Sequence, residues 1–244
     1  MKAEDLFREG KLEDAIRTLG SELRDDPANA RKRTFLFELL SFAGEYERAE
    51  KQLDLLGDEN KDAMLASLLY RGALNGERTR QEMFQKDNVS PPVLDPPKVR
   101  GSLNGKPFES IRDGDPRLGC RLEVIAGGDY LWIGFEHIAA LKIEAPKRLR
   151  DLMWATARLR TGPSFKGQDL GDVLLPALAP GSVASDDPDI RLGRVTEWFR
   201  DESGIEFPLG RKVLLVDGEE IPLLEVRTLE VHAPEMESAS GASQ

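Results

Sequence analysis

The sequence has very few of the residues that form disulfides and zinc sites. It contains one cysteine, Cys120, and two histidines, His137 and His232. A single cysteine excludes an intrachain disulfide and fits a reducing compartment. No Cys or His spacing matches a zinc site. The composition therefore predicts a fold that is held together by packing and polar contacts, without a metal.

Long apolar segments and an excess of positive charge are missing too. No run approaches the roughly 18 apolar residues of a membrane span, and the charged start Met1–Asp5 has no secretory apolar segment. There are 34 Lys and Arg residues against 44 Asp and Glu, a net charge of -10. Such a chain repels phosphate backbones. We expect a soluble, cytoplasmic protein that binds neither membranes nor nucleic acid.

Catalytic motifs are missing as well. Gly162–Gly167 misses the spacing of a nucleophile elbow by one residue. Gly204–Arg211 has glycines at the wrong spacing for a phosphate loop and no following Lys-Ser or Lys-Thr. The acidic cluster Asp186, Asp187 and Asp189 lacks the spacing of a calcium loop. These absences predict a non-enzymatic protein that needs no cofactor.

An internal repeat is present in the first hundred residues. Gly10–Ala15 is echoed by Gly44–Ala49, and the offset, 44 − 10 = 34, is the tetratricopeptide period. Pro27 lies where the second helix should stop. The sequence predicts helices near residues 2–9, 12–25, 28–43, 46–56 and 59–75, with a sixth possible near 77–86. Two repeats are fewer than a free-standing solenoid needs, so these helices should lean on the rest of the chain.

Apolar residues recur at helical spacing through this region, which predicts that they form the core. Small residues should lie where paired helices cross. We expect burial of Leu12, Ala15, Ala49 and Leu53, and the same pattern extends to Leu65, Leu68 and Leu69.

The pattern changes after a proline-rich segment, Asn88–Lys98, which has four prolines within seven residues. Short β-prone runs then predict two hairpins, one around Gly127–Asp129 and one around Asp217-Gly218. The second strand of the second hairpin is expected over Ile221–Val231. A further strand is expected at Ala139–Glu144. Short helices are expected at Arg148–Trp154 and Arg191–Arg200.

These patterns together predict an α+β fold. A tetratricopeptide-like helical domain covers residues 1–87, and a proline-rich linker covers residues 88–99. A small β-rich α+β domain covers residues 100–234, and a disordered tail covers residues 235–244.

The second half is dense in Asp, Arg and Trp. Trp, Tyr and Arg dominate the energetics of protein interfaces, and Arg also pairs with carboxylates and stacks on indoles. These side chains either brace the β-rich domain or form a recognition surface. The candidates for partner binding are Arg117, Tyr130, Trp132, Trp154, Arg191, Arg194 and Trp198.

An ordered set of short motifs in residues 110–231 resembles the ImpE/TagJ (SciE-type) family of type VI secretion accessory proteins. Three positions depart from the family pattern: Cys120 and Gly134 stand where the family has prolines, and an aromatic residue expected near Ala179 is absent. The matching motifs are Asp115–Gly119, Leu122–Ile125, Tyr130–Trp132 with Phe135 and Ile138, Pro146, Leu149–Leu152, Trp154, Leu175-Pro176, Arg191–Arg194 with Thr196 and Trp198, and Leu223–Arg227.

The resemblance implies a cytoplasmic accessory protein that engages the small sheath subunit, TssB, through an N-terminal helix of that subunit. It further implies an influence on sheath assembly, or on disassembly by the ClpV ATPase. Two other functions stay open on the residues alone. One is a general repeat chaperone unrelated to secretion, and the other is an enzyme built on the Asp/Arg/Trp network.

Overall fold

The chain forms an α+β structure in which five helices precede a β-rich region, as the sequence predicts. The computed structural model describes residues 2–57, 60–85, 99–165 and 169–232. The predicted tail at 235–244 and all of the predicted linker except Val99 lie outside the described residues. The helices are α1 (Ala3–Arg8), α2 (Leu12–Asp25), α3 (Ala30–Phe42), α4 (Tyr46–Gly57) and α5 (Lys61–Gln85).

The first four helices form two antiparallel pairs, α1 with α2 and α3 with α4. A glycine with positive φ lies in each tight turn, Gly10 at 79° and Gly44 at 71°. Asn29 begins α3, because its side chain accepts a hydrogen bond from the backbone N–H of Lys32. The residues predicted at the helix crossings are buried, with exposures of 1% for Leu12, 0% for Ala15 and Ala49, and 3% for Leu53.

The last helix differs from the prediction in two ways. Residues 61–85 form one uninterrupted helix and not two. The expected burial of Leu65, Leu68 and Leu69 is wrong, because each is more than half exposed. The physical reason is that no described element covers this side of the N-terminal half of α5.

Thirteen strands follow among the described residues, in three antiparallel sheets. The large sheet has the order β2-β1-β13-β6-β7-β8-β4-β5, while β9 pairs with β10 and β11 lies between β3 and β12. The strands are β1 (Gly101–Leu103), β2 (Lys106–Phe108), β3 (Ile111–Asp113), β4 (Arg121–Ala126), β5 (Asp129–Gly134), β6 (Ile138–Ile143), β7 (Trp154–Thr161), β8 (Gly171–Pro176), β9 (Thr196–Arg200), β10 (Glu206–Gly210), β11 (Val213–Val216), β12 (Glu219–Pro222) and β13 (Thr228–Val231).

Both predicted hairpins are present, and both have two-residue turns in the left-handed region. Gly127 and Gly128 join β4 to β5 with φ of 60° and 95°. Asp217 and Gly218 join β11 to β12 with φ of 51° and 87°. Glycine and aspartate tolerate these angles, which match the twist of paired strands. The strand predicted at Ala139–Glu144 corresponds to β6.

Three predicted segments are wrong in type or extent. A 3-10 turn, Leu223–Glu225, interrupts the strand predicted from Ile221 to Val231. The helix predicted at Arg191–Arg200 is absent: a short helix α6 (Pro188–Arg191) ends before Gly193, whose φ is 62°, and β9 follows. The segment Arg148–Trp154 contains only a 3-10 turn, Leu149–Leu152. Hydrogen bonding across the tertiary structure decides these segments, which are too short to be stable alone.

The large sheet is buried on both faces around β4, β8 and the start of β7. On β4, Leu122 and Val124 point into a core with the other strands, while Ile125 points into the core formed with the helices. Glu123 is also buried, at 0% exposure. One face of the sheet is therefore the support on which the helices pack, as the low repeat number predicts.

Candidate partner-binding site

Six of the seven predicted partner-binding residues contact the helices of their own chain. They lie in the interface between α1–α5 and the β-rich region, called here the helix–sheet interface. Only Trp198 is elsewhere. The aromatic and arginine side chains that suggested a recognition surface are thus mostly used inside the molecule.

Trp154 is the most buried of these residues, with 1% of its surface exposed. Its ring stacks on Phe37 of α3 at 6.3 Å and lies 6.0 Å from Tyr70 of α5. Its indole Nε1 donates to Glu77 Oε1 at 3.2 Å. A side chain this deeply buried cannot touch a partner in this conformation, so its direct role is to hold the helices on β7.

A buried charged network lies at the centre of the interface. Arg80 of α5 donates from Nε and Nη2 to the two carboxylate oxygens of Glu123, at 2.6 and 3.0 Å. Lys212 donates to Glu123 and lies 2.7 Å from Asp113 Oδ2. Arg80 also donates to the carbonyl of Leu178 at 2.7 Å. The Glu123 carboxylate on β4 thus links Arg80 of α5 to Lys212 of the β-rich region.

The charge states of this network follow from burial and from the two cations. Burial raises the pKa of Asp113 to about 6, although Lys212 opposes the shift. Burial acts in the same direction on Glu123, but Arg80 and Lys212 outweigh it and hold the pKa of Glu123 at about 2. Burial also raises the pKa of Glu77. The arrangement keeps Glu123 ionised as the shared acceptor of both cations.

Three of the predicted residues border this network near the C-terminal end of α5: Tyr130, Trp132 and Arg117. The Tyr130 hydroxyl donates to Glu123 and accepts a bond from Trp132 Nε1 at 2.5 Å. Trp132 also packs 5.9 Å from Phe84 of α5. The guanidinium of Arg117 lies 4.8 Å from the centre of the same Phe84 ring. These contacts leave all three residues occupied by the chain itself.

Arg191 and Arg194 attach the α6 region to the first two helices. Arg191 Nη1 lies 2.6 Å from Glu13 Oε1 of α2. Arg194 donates to the carbonyl of Phe7 in α1 at 2.7 Å and lies over the Phe7 ring at 5.6 Å. Both arginines therefore fasten the N-terminal helices to the β-rich region.

Trp198 is the predicted residue that remains open. It lies on β9 with 39% of its surface exposed, and its Nε1 donates to Glu220 Oε1 at 3.1 Å. The same two-stranded hairpin exposes Phe199 and Ile205. This hairpin is therefore a possible contact surface in the β-rich region.

Sequence reasoning missed the residues at the centre of the interface. Arg80, Glu123 and Lys212 are each at most 4% exposed. The sequence feature that could have found them is a charged residue next to or inside an apolar run. Glu123, between Leu122 and Val124, is an example. Because a buried charge needs partners, such a position predicts an internal ion pair but not which residue completes it.

An exposed apolar stripe lies on the N-terminal half of α5. It consists of Met64, Leu65, Leu68 and Leu69, with exposures of 47, 53, 58 and 52%. Spacings of three and four residues, as in Leu65/Leu68 and Met64/Leu68, place these side chains on one side of the helix. Exposed apolar clusters of this kind mark protein contact sites more often than isolated leucines do.

A polar groove lies between α1, α3 and the 3-10 turn at Leu149–Leu152, with a volume of about 940 Å³. Glu38 of α3 is buried in its wall and pairs with Arg150 at 2.7 Å. Burial raises the pKa of Glu38, against the effect of Arg150. The charged residues that line the groove are Lys2, Glu4, Arg31, Lys32, Glu38, Arg148 and Arg150.

Within the described ranges, no group of three or more His, Cys, Asp or Glu residues is placed to hold a metal ion. None of the helices in that part of the chain is long and apolar enough to cross a bilayer.

The architecture defines a class of protein in which tetratricopeptide-type helices are packed on a β-rich domain. A tetratricopeptide repeat model matches residues 6–71, and the family model described as ImpE protein matches residues 105–230. The chain belongs to the ImpE family. This confirms the family resemblance predicted from the ordered motifs.

A curated relative agrees with this membership. The chain is 33% identical to the type VI secretion system accessory component TagJ of Pseudomonas aeruginosa strain PAO1, over 94% of this chain and 91% of that protein. The fold is shared with the crystal structure of protein VPA1032 from Vibrio parahaemolyticus. The TM-score is 0.79 and the identity 20%, covering 94% of this chain and 97% of the other.

Proposed function

We propose that this protein is a non-enzymatic accessory adaptor of a type VI secretion system that binds a helix of the small sheath subunit, TssB. The observation that carries the proposal is the likeness to the TagJ component along nearly the whole chain. The tetratricopeptide-type helices support a role in protein contacts, because paired-helix repeats form binding scaffolds.

The apolar stripe of α5 is the surface that best fits such a helix. The first two helix pairs are complete, whereas α5 packs on α4 and no second helix pairs with it among the described residues. A partner helix with an apolar face would take that position and cover Leu65, Leu68 and their neighbours. This replaces Tyr130 and Trp132 as the expected anchors, since both are held in the helix–sheet interface.

The sequence that precedes the stripe supports a partner helix with basic flanks. From Asp54 to Asp62 the sequence has four acidic residues and one lysine. Complementary charge speeds encounter and fixes orientation more than it adds affinity. Bound in this way, the adaptor would influence sheath assembly, or disassembly by the ClpV ATPase.

A titration tests the proposal. A labelled peptide of the TssB N-terminal helix is added to the full chain and to the double variant Leu65→Glu with Leu68→Glu. Both positions are exposed, so the variant should fold normally. We expect binding to the native chain and a loss of at least about tenfold in the variant, since two acids would enter the apolar contact. Ile205→Glu is the matched control on the β9–β10 hairpin.

Each result has a definite meaning. Absence of binding to the native chain at about 100 μM, equivalent to about 5.5 kcal/mol, would refute the proposed partner and favour a general repeat chaperone. Binding that Ile205→Glu or Trp198→Ala weakens, while the α5 variant does not, would move the site to the β9–β10 hairpin. Sheath and ClpV genes beside this gene would support the secretion role independently.

A further inference from the structure

We propose that the groove between α1, α3 and the Leu149–Leu152 turn is a second binding site, which takes an acidic peptide segment of a partner protein. It is separate from the apolar stripe of α5 and extends the proposed function. The stripe would accept the apolar face of a helix, whereas this groove selects negative charge.

The groove is positive although the chain is strongly acidic. Five of its lining residues are basic and two, Glu4 and Glu38, are acidic, so its formal charge is +5 − 2 = +3. The whole chain carries -10. A local reversal of sign in a concave site concentrates ligands of opposite charge. The groove is therefore suited to carboxylates, whereas most of the rest of this acidic surface would repel them.

Two of these cations are available to bind a ligand. Arg31 and Arg148 are exposed and form no ion pair with any residue in the described ranges. Lys32 lies 3.0 Å from Glu22 and is partly neutralised. Arg150 is committed to Glu38 and forms the floor of the groove. Arg31 and Arg148 are thus the side chains that can donate to an incoming carboxylate, and Arg can do so with two parallel bonds.

The start of α3 adds to the same potential. This helix has 13 residues and no acidic residue in its first turn, and Asn29, Arg31 and Lys32 line the groove there. The free N–H groups and the dipole of a helix N-terminus favour an anion. This contribution of the helix backbone is independent of the side-chain charges. It acts at the end of the groove that Asn29, Arg31 and Lys32 line.

The neighbouring surface favours a peptide over a nucleic acid or a free anion. At Thr34 and Arg150 the groove adjoins an apolar groove of about 170 Å³ between α3, α4 and α5. Its lining includes Phe37, Leu56 and Tyr70. A phosphate backbone offers nothing to such a surface, whereas a peptide can place apolar side chains there and its carboxylates beside Arg31.

Selection from a random-peptide display library tests the inference on the full chain. The library is panned against the native protein, against Arg31→Glu with Arg148→Glu, and against Arg158→Glu with Arg160→Glu. The last pair makes the same charge change at exposed positions on β7. We expect acidic peptides with apolar residues to be enriched on the native chain and the β7 control, and to bind the groove variant at least about tenfold more weakly.

Other results would overturn the inference. Peptides enriched equally on all three proteins, or enriched without acidic residues, would mean that the groove does not select negative charge. A native chain that selects nothing and is dimeric by light scattering, with the groove variant monomeric, would assign the groove to a second copy of this chain. The variant Leu65→Glu with Leu68→Glu tests the α5 stripe and should select the same peptides from the library as the native chain. The two proposals can therefore fail independently.

Discussion

At the scale of single residues, the helix–sheet interface depends on Glu123. Its carboxylate has no exposed surface and accepts bonds from Arg80, Lys212 and Tyr130. Such a network is stable only while each charge keeps its partners, because an unpaired buried charge is costly. Replacing Arg80, Glu123 or Lys212 alone would therefore leave a buried charged group without one of its partners.

Lys212→Met should destabilise the protein strongly. The change leaves Asp113 without its cation and Glu123 with Arg80 as its one remaining cation. We expect the free energy of unfolding to fall by about 3–5 kcal/mol, the usual cost of breaking a buried pair. Urea unfolding measures it. Lys142→Met, at an exposed position on β6, should stay within about 0.5 kcal/mol of the native chain. Equal losses in both variants would contradict the importance of the network.

Asp113 should make stability depend on pH. Its pKa rises from 3.8 to about 6 in the fold. Between these values the folded chain holds a proton that the unfolded chain has released, so the free energy of unfolding falls as pH rises through this window. Glu123 acts oppositely: with a folded pKa of about 2, it loses its contribution only as pH drops below its ordinary value of 4.5.

Asp113→Asn isolates this effect. Urea unfolding at about pH 5 and about pH 7 should show a smaller fall in stability for Asp113→Asn than for the native chain. The residual slope belongs partly to Glu77 and Glu38, whose pKa values burial also raises. Asp172→Asn on β8 is the matched exposed control. An unchanged slope in Asp113→Asn would rule out Asp113 as its source.

At the scale of elements, α1, α2, α3 and α5 combine packing on neighbouring helices with contacts to the β-rich region. The turn glycines show this directly. A Cβ at Gly44 would lie 2.8 Å from Val183, and one at Gly10 would lie 3.1 Å from Pro188. The positions that the repeat uses for tight turns also allow α6 and its neighbours to approach the helices closely.

Overpacking a helix crossing tests the repeat assignment. Ala15→Leu or Ala49→Leu inserts bulk at positions with no exposed surface. We expect a loss of about 1–3 kcal/mol for each, seen as a lower midpoint in thermal unfolding. Ala66→Leu, on an exposed position of α5, is the control and should change stability little. Unchanged midpoints in Ala15→Leu and Ala49→Leu would count against close helix contact there.

At the scale of the whole molecule, the helices and the β-rich region share one hydrophobic core. Phe37, Tyr70 and Leu74 from the helices pack with Trp154 and Leu174 from the strands. The division into units at 1–87 and 100–234 remains a proposal. The shared core predicts how these units behave once the chain between them is cleaved. Their contact combines this shared apolar core with the buried network around Glu123, so they should stay together without a covalent connection.

Limited proteolysis tests both ideas. Early cuts should fall near residues 88–99 or after 234, since four prolines within seven residues disfavour a helix and the Ser/Ala/Gly-rich composition of the tail predicts disorder. Under native conditions the two fragments should elute together in size-exclusion chromatography and separate only in denaturant. Early cuts inside 120–230 would argue against the boundary. Fragments that separate without denaturant would argue against a shared core.

The sequence was sufficient for features that depend on neighbouring residues. The 34-residue repeat places helix pairs because its glycines and alanines recur at fixed spacing. The Gly127-Gly128 and Asp217-Gly218 turns predict their hairpins because few residues accept positive φ. The ordered motifs predict the ImpE family. None of these inferences requires knowing what lies across the interface.

Only the tertiary structure decided which side chains remain available to a partner. Trp132 and Trp154 look like binding anchors in sequence, yet Trp154 is buried against α3 and Trp132 packs on Phe84 of α5. Leu65 and Leu68 look like core, yet no described element covers them. The physical reason is that burial depends on elements far apart in the chain. A helical period shows that a side is apolar, but not whether this chain or another protein covers it.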